Sequence, residues 1–419
     1  MSDVLTVRLH GQDVGEIVRF RNGRIRFEFL PEYASRRDRP TLSRSFLDEY
    51  GNVTGTGKHT ISGEVPVFFS NLLPEGRLRT YLAAKAGVRE TREFELLGFL
   101  GRDLPGAVVV VPPDGRDHRS PPATPIGGSD SPPDVLRFSL AGVQLKFSAV
   151  EKAAGGLTVP ARGIGGDWIL KLPSVHHDAI PENEYSMMSL AGMVGIEVPE
   201  ARLVPMSRIE GLPPEVADGR MAGANALATR RYDRTEEGRV HAEDFAQVFG
   251  LWPGNKYDQY SYANIATVLA LFSGNQGDVG EFSRRLMYAA LVGNGDLHMK
   301  NWSLIYRDGR TAELSPAYDL LCTAPYIPGD DMALKLGATR RWRDLTLDDF
   351  AAVADRAHAD PDAFVNAAAE TAERFGDIWQ DASKSLPVPG TVKSAIEGQR
   401  ATVPAITGTP RRRTRRTRT

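Results

Sequence analysis

The 419-residue chain is 41% hydrophobic and 25% charged, enough to bury two or three separate cores. No run approaches the roughly 18 apolar residues that a membrane helix needs, the opening segment lacks a signal peptide's apolar centre, and the single cysteine, Cys322, excludes an internal disulfide; the expectation is a cytoplasmic protein without membrane contact. The net charge of −2 is lopsided: six arginines crowd the last ten residues, and without them 45 basic residues face 53 acidic ones, so the folded body has no electrostatic reason to bind nucleic acid.

In chain order, residues 4–9 and 14–29 alternate like strands, with Arg21-Asn22-Gly23 as a turn. Residues 66–86 and 92–101 read as helices, and together these segments suggest a small α+β domain over 1–111. Residues 112–134 hold seven prolines in 23 positions and almost no large apolar residue, which marks a linker. Strand-like runs follow at 135–139, 144–150, 167–172, 201–206 and 225–232, interrupted by a helix at about 181–195 that Pro181 and Glu182 open. Helical patterns then cover 243–250, 261–272, 278–293, 346–358 and 361–377. A hairpin of 302–306 and 311–315 turns at Arg307-Asp308-Gly309-Arg310. A β-rich unit (135–235) before a helical one (236–405) predicts two lobes. The tail (406–419) is read as disordered and solvated, against contact with phosphate or an acidic partner.

Four segments carry chemistry. Asn294-Gly295-Asp296-Leu297-His298-Met299-Lys300-Asn301 ends a long amphipathic helix, and its Asp–x4–Asn spacing is that of a kinase catalytic loop. Phosphoryl transfer needs a carboxylate near the attacking hydroxyl and an amide oxygen on the metal ion. Asn294-Gly295 replaces the usual His-Arg, so the loop is atypical. The hairpin returns the chain to its start, which brings Asp319 beside Asn301 as a second oxygen ligand for Mg²⁺. Lys171, in an apolar strand, is costly unless paired; Glu182 and Glu184 on the next helix offer partners, with Glu184 favoured as the kinase Lys–Glu pair. Small residues in Ser139-Leu140-Ala141-Gly142-Val143-Gln144-Leu145-Lys146 suit a loop whose backbone N–H groups wrap phosphate. Each piece alone has a plain reading as a turn, a cap or a snorkelling lysine. Their order along the chain, loop, lysine strand, glutamate helix, Asp–Asn loop, hairpin and aspartate, is that of a bilobed kinase. His298 has no second histidine at a ligand spacing, which argues against a transition-metal site.

On these residues the chain resembles the HipA family of bacterial kinase toxins, over nearly its whole length. Phe138 to Phe147 resembles the family's Ser-x-Ala-Gly-x-Gln-x-Lys loop, Trp168 to Pro173 its lysine strand, Glu182 to Tyr185 its glutamate helix, and Asn294 to Asn301 its catalytic loop. Arg231-Tyr232-Asp233-Arg234 resembles the hinge whose backbone holds adenine, and Tyr318-Asp319 the metal aspartate. Phe68 to Gly76 and Leu97 to Asp103 resemble the family's first domain. The resemblance implies an α+β, bilobed, atypical protein-kinase-like fold behind a small N-terminal domain. It implies Asp296 as catalytic base and Asn301 and Asp319 as holders of Mg²⁺. ATP contacts would come from Ala141, Gly142, Val143, Gln144, Lys146, Lys171, Glu184, Arg230, Arg231, Tyr232, His298, Lys300, Asn301, Tyr318 and Asp319. Ser139 would be an autophosphorylation site. Implied partners are a small helix-turn-helix antitoxin, operator DNA through that complex, and a protein substrate, with aminoacyl-tRNA synthetases as one target class. Arg230 departs from the acidic hinge residue expected there. Two rivals share part of the pattern: a small-molecule kinase of the aminoglycoside or choline type, and a corepressor without catalysis. The first-domain motif argues against the former, and the intact Lys171, Asp296, Asn301 and Asp319 against the latter.

Overall fold

The computed structural model describes residues 3–54, 63–113, 146–152, 156–159, 165–174, 176–212, 223–257, 259–327 and 329–408. The proline-rich segment beyond 113, the strand expected at 135–139, the loop carrying Ser139, Ala141, Gly142, Val143 and Gln144, and the arginine tail lie outside the described residues.

The first unit is an antiparallel sheet with short helices. Strands β1 (Asp3–Leu9), β2 (Gln12–Arg19), β3 (Ile25–Phe29) and β4 (Val108–Val111) lie in the order β3-β2-β1-β4. Alternation puts Leu5, Val7 and Leu9 of β1 inward, fully buried. Helices α1 (Pro31–Ser35), α2 (Val67–Ser70), α3 (Gly76–Ala86) and α4 (Glu93–Leu100) complete the unit, and Phe68, Phe69, Leu96 and Leu97 join its core. The single helix expected over 66–86 is corrected to two pieces. Pro74 has no N–H to continue a helix and pushes Leu73 out of helical geometry, so residues 71–75 form a connecting turn.

The second unit is a six-stranded sheet of β5 (Lys146–Glu151), β6 (Leu157–Thr158), β7 (Trp168–Lys171), β8 (Ala201–Pro205), β9 (Ile209–Glu210) and β10 (Asn225–Arg230), in the order β8-β10-β7-β5-β6-β9. Helix α5 (Ile180–Met193) packs against β8 and β10. In the β5–β7 register Lys146 lies directly opposite Lys171, so both side chains leave the same face of the sheet.

The third unit is mostly helical. A two-stranded ribbon, β11 (Arg234–Thr235) with β12 (Gly238–Arg239), leads into β13 (His241–Asp244). Strand β13 pairs with β14 (Ser303–Tyr306), which pairs with β15 (Glu313–Leu314) as the expected hairpin. Residues 243–250 are not one helix, as the periodicity suggested. Asp244 ends β13 and caps the short α6 (Phe245–Val248), exchanging side-chain and backbone bonds with Gln247. Helices α7 (Tyr262–Phe272), α8 (Asp278–Val292), α9 (Leu347–Ala357), α10 (Pro361–Ser385), α11 (Gly390–Thr402) and α12 (Pro404–Thr407) follow. Helix α10 runs past the expected 377 because Trp379 and Ala382 continue its buried stripe. Among the described residues no helix is long and apolar enough to cross a membrane.

Polar anchors join the first unit to the rest. Asp103 is buried among Arg231 (3.3 Å), Arg234 (2.9 Å) and Arg239 (3.6 Å). Gly106 donates its N–H to Asp233 Oδ2 at 2.7 Å; a Cβ there would meet the Ala242 backbone at 2.8 Å, so only glycine lets the chains approach. Farther along, the buried Glu243 carboxylate accepts from Ser43 Oγ (2.5 Å), Arg44 N (2.8 Å) and Tyr306 OH (2.5 Å).

Burial pushes Glu243 up from 4.5 to about 7, with its three donors opposing the shift. The folded chain therefore keeps a proton that the unfolded chain releases. That contribution is fully present below the unfolded pKa and is lost as pH rises through about 7. Urea unfolding midpoints of wild type and Glu243→Gln, compared across this window, are expected to show a shallower pH slope for the variant.

Candidate active site

Three elements meet at Lys171. It ends β7, where the apolar strand Trp168-Ile169-Leu170 drives its base into the sheet. Its Nζ donates to Glu184 Oε1 of α5 at 2.5 Å and to Asp319 Oδ1. The side chains of Lys171 and Glu184 are 12% and 2% exposed, so the ions meet in a low dielectric. Burial alone would lower the Lys171 pKa, but the two carboxylates outweigh it and hold the ammonium charged. Burial would raise Asp319, yet Lys171 and Lys146 pull it well below the usual carboxylate range. Glu184, the more deeply buried of the two acids, is pushed up to about 7 by burial despite Lys171. Asp319 sits at φ 58°, a left-handed conformation that is costly for a side-chain-bearing residue. The ion pair with Lys171 helps to hold it there.

The Asn294–Asn301 loop begins where Gly293, at φ 66°, ends α8. Asp296 is 6% exposed and accepts from Tyr257 OH at 2.7 Å. Burial is the main cause that lifts its carboxyl to about 7; Tyr257 opposes the shift and Asp319 adds to it. Asn301 Nδ2 donates to the Asp296 carbonyl at 2.8 Å, which closes the loop and turns the amide oxygen away from it. On the other side, Thr323 Oγ1 accepts from Gly295 N at 2.8 Å and contacts Asp330. A Cβ on Gly295 would overlap the Asp330 carboxylate, so a side chain at this position would require Asp330 to move off Thr323. Tyr318 OH contacts Ser303 Oγ (2.6 Å) and donates to the Lys300 carbonyl (3.0 Å), tying the Asp319 segment to the 294–301 loop.

The other expected site residues are distributed as follows. Tyr232 stacks on Tyr318, centroids 5.7 Å apart, and Arg230 is exposed beside Glu200 (3.8 Å). Arg231 turns its side chain into the Asp103–Asp233 cluster, so only its backbone remains to face a nucleotide. Lys300 directs its ammonium to Glu75 (2.7 Å) and the Asn71 carbonyl (3.1 Å) of the first unit. His298 is buried. Its Nδ1 accepts from Lys300 N at 3.2 Å, and burial lowers its pKa to about 3, so the ring is neutral. Tyr257, Thr323 and Asp330 bear on the site without any sequence signal, since loop residues far apart in the chain announce no partner.

Gly295→Ala should displace Asp330 from Thr323 and loosen the Asp296 loop. We expect about 1–3 kcal/mol lower stability, as for other overpacked sites, read from urea unfolding.

The fold and site have clear relatives. The HipA N-terminal domain family matches residues 5–111, and the HipA-like C-terminal domain family matches 138–379. A candidate kinase of Sinorhizobium fredii, Y4dM, is 49% identical over 403 residues, 96% of this chain and 97% of its own. The serine/threonine-protein kinase toxin HipA of Shewanella oneidensis is 26% identical over 303 residues, 65% of each chain. A chain of the Shewanella oneidensis complex of HipA, HipB and operator DNA superposes with a TM-score of 0.72 at 20% identity, covering 96% of both chains. The fold is accordingly the bilobed, atypical kinase-like architecture, with a β-rich lobe and a helical lobe behind a small α+β domain. The chain belongs to the HipA family of kinase-like toxins.

Proposed function

We propose that this chain transfers the γ-phosphoryl group of ATP to a serine or threonine hydroxyl of a protein. The observation that carries the reading is the convergence of Lys171, Glu184 and Asp319 in one buried cluster, with Asp296 near enough for Asp319 to shift its protonation. Lys171 stays charged beside its two carboxylates and would meet phosphate. Asp296, like Glu184, is lifted to about 7, the range that a base for an alcohol proton requires, and unlike Glu184 it is not paired with a lysine. Asp319 is ionised and already accepts a cation, the Lys171 ammonium, while Asn301 contributes an amide oxygen. These donors fit a hard divalent ion. Mg²⁺ would be held by Asn301 and Asp319, and it would neutralise charge on the transferring phosphate.

Asp296 orients the acceptor hydroxyl and takes its proton. Tyr257 holds the carboxylate at one oxygen and leaves the other for the substrate. Gly295, Thr323 and Asn301 keep the loop from sagging away. The resemblance suggests Ser139 as an autophosphorylation site, and a phosphate of about −1.5 to −2 charges there would repel a bound nucleotide and so inhibit the kinase.

The biological reading is a growth-inhibiting toxin neutralised by a small helix-turn-helix antitoxin, acting with it on operator DNA. Its support is the family membership and the presence of HipB and operator DNA in the Shewanella complex. Aminoacyl-tRNA synthetases are the substrate class that the resemblance suggests.

Asp296→Gln should keep ATP affinity while transfer falls by about 10²–10⁴-fold, the usual contribution of a general base. Isothermal calorimetry with Mg·ATP and a phosphotransfer assay read the two effects separately; wild-type transfer by the variant would remove Asp296 from the role. Asp319→Asn is expected to weaken nucleotide binding only when Mg²⁺ is present, and to abolish transfer. Titrations with and without Mg²⁺ check this, and equal affinity in both would refute the metal assignment.

A further inference from the structure

The motif Asn71-Leu72-Leu73-Pro74-Glu75 lies in the first unit, yet it reaches the catalytic loop. Glu75 accepts from Lys300 Nζ at 2.7 Å and from Lys256 Nζ at 2.8 Å. The two lysine side chains are only 14% and 10% exposed. Each is the chain neighbour of a group at the reaction centre. Lys256 precedes Tyr257, whose hydroxyl holds Asp296 at 2.7 Å, and its own carbonyl accepts from Met299 N at 3.2 Å. Lys300 precedes Asn301, whose amide closes the loop on the Asp296 carbonyl. The Asn71 backbone adds a second bond to Lys300, and Asn71 Nδ2 donates to the Leu251 carbonyl at 2.8 Å.

We infer that Glu75 is a positioning residue for the kinase reaction: from the N-terminal domain it clamps Lys256 and Lys300, and through them sets Asp296 and Asn301. The inference rests on the kinase reading above. Simple docking is not a sufficient account of Glu75. The domain is already anchored by the Asp103–arginine cluster and by Ser43 on Glu243. Glu75 instead supplies the negative charge between two enclosed ammonium groups. Asp244 is the next carboxylate near Lys300, at 3.9 Å. Losing the Glu75 charge would leave two like charges to move apart and carry their neighbours with them. Both ion pairs bind Glu75 well below the ordinary carboxylate range, although burial opposes them. The domain thereby becomes part of the catalytic apparatus.

Glu75→Gln keeps the shape and removes the charge. Ser43→Ala is the docking control, since it breaks an interdomain contact away from the loop. Two readouts are taken on the full-length chain: ADP release from Mg·ATP, and amide hydrogen exchange over residues 294–301. The expected result for Glu75→Gln is a loss in kcat on the order of 10²-fold, the effect of a displacement near 1 Å, with KM for ATP unchanged and faster exchange over 294–301. Ser43→Ala should show neither change. Wild-type exchange in Glu75→Gln, or equal losses in Ser43→Ala, would overturn the inference. A wild-type chain that releases no ADP would sink the kinase reading instead, and the exchange comparison would still decide the role of Glu75.

Discussion

The cluster of Lys171, Glu184 and Asp319 is the constraint on which the rest depends. Its three members come from a strand, a helix and a loop separated by up to 148 residues. Each is costly to bury alone. One ammonium between two carboxylates removes most of that cost for the lysine and Asp319, and leaves Glu184 with its pKa raised. The arrangement tolerates little slippage, because an ion pulled out of register would lie unpaired in a low dielectric. It fixes the sheet of the smaller lobe against the segment that follows β15, and it holds Asp319 in its left-handed conformation.

The contacts between the first unit and the kinase-like units obey the same logic. They include polar anchors: the buried Asp103 among three arginines, the buried Glu243 among three donors, and the half-buried Glu75 between two lysines. Apolar contact alone would set proximity without orientation. Charged and hydrogen-bonded anchors specify angle and depth, because each unsatisfied partner costs on the order of 1–3 kcal/mol. The 294–301 loop inherits that precision, since Lys300 and Lys256 touch the first unit while their neighbours, Asn301 and Tyr257, bond to Asp296.

Much of this was legible in the sequence, and the reason differs by residue. Asp296 and Asn301 share one short loop, so their spacing alone suggests joint work. Lys171 stood out as a charge in an apolar strand, and the hairpin at 302–315 explained how Asp319 returns to the loop. The break at Leu73-Pro74 was hidden because Phe68, Phe69, Leu72 and Leu73 keep a helix-like apolar pattern across it. Strand β13 was hidden because Glu243 and Asp244 look like a helix start, and half of that reading is right: Asp244 caps α6. Tyr257, Thr323, Asp330 and the partners of Glu75 depend on tertiary contacts between distant loops, which periodicity cannot report. Arg231 was expected at the nucleotide because it lies in the hinge, but its side chain answers to Asp103, more than 120 residues earlier.

The Gly295 position joins these points into one argument about how the loop is held. Ordinary protein kinases carry an arginine at this position. This chain offers no side chain, and the space is filled by Asp330, kept in place by Thr323, whose Oγ1 takes the Gly295 N–H. The loop is thus braced by a hydroxyl and a carboxylate on one side and by the Glu75–lysine clamp on the other. Both braces are built from residues already folded into the chain.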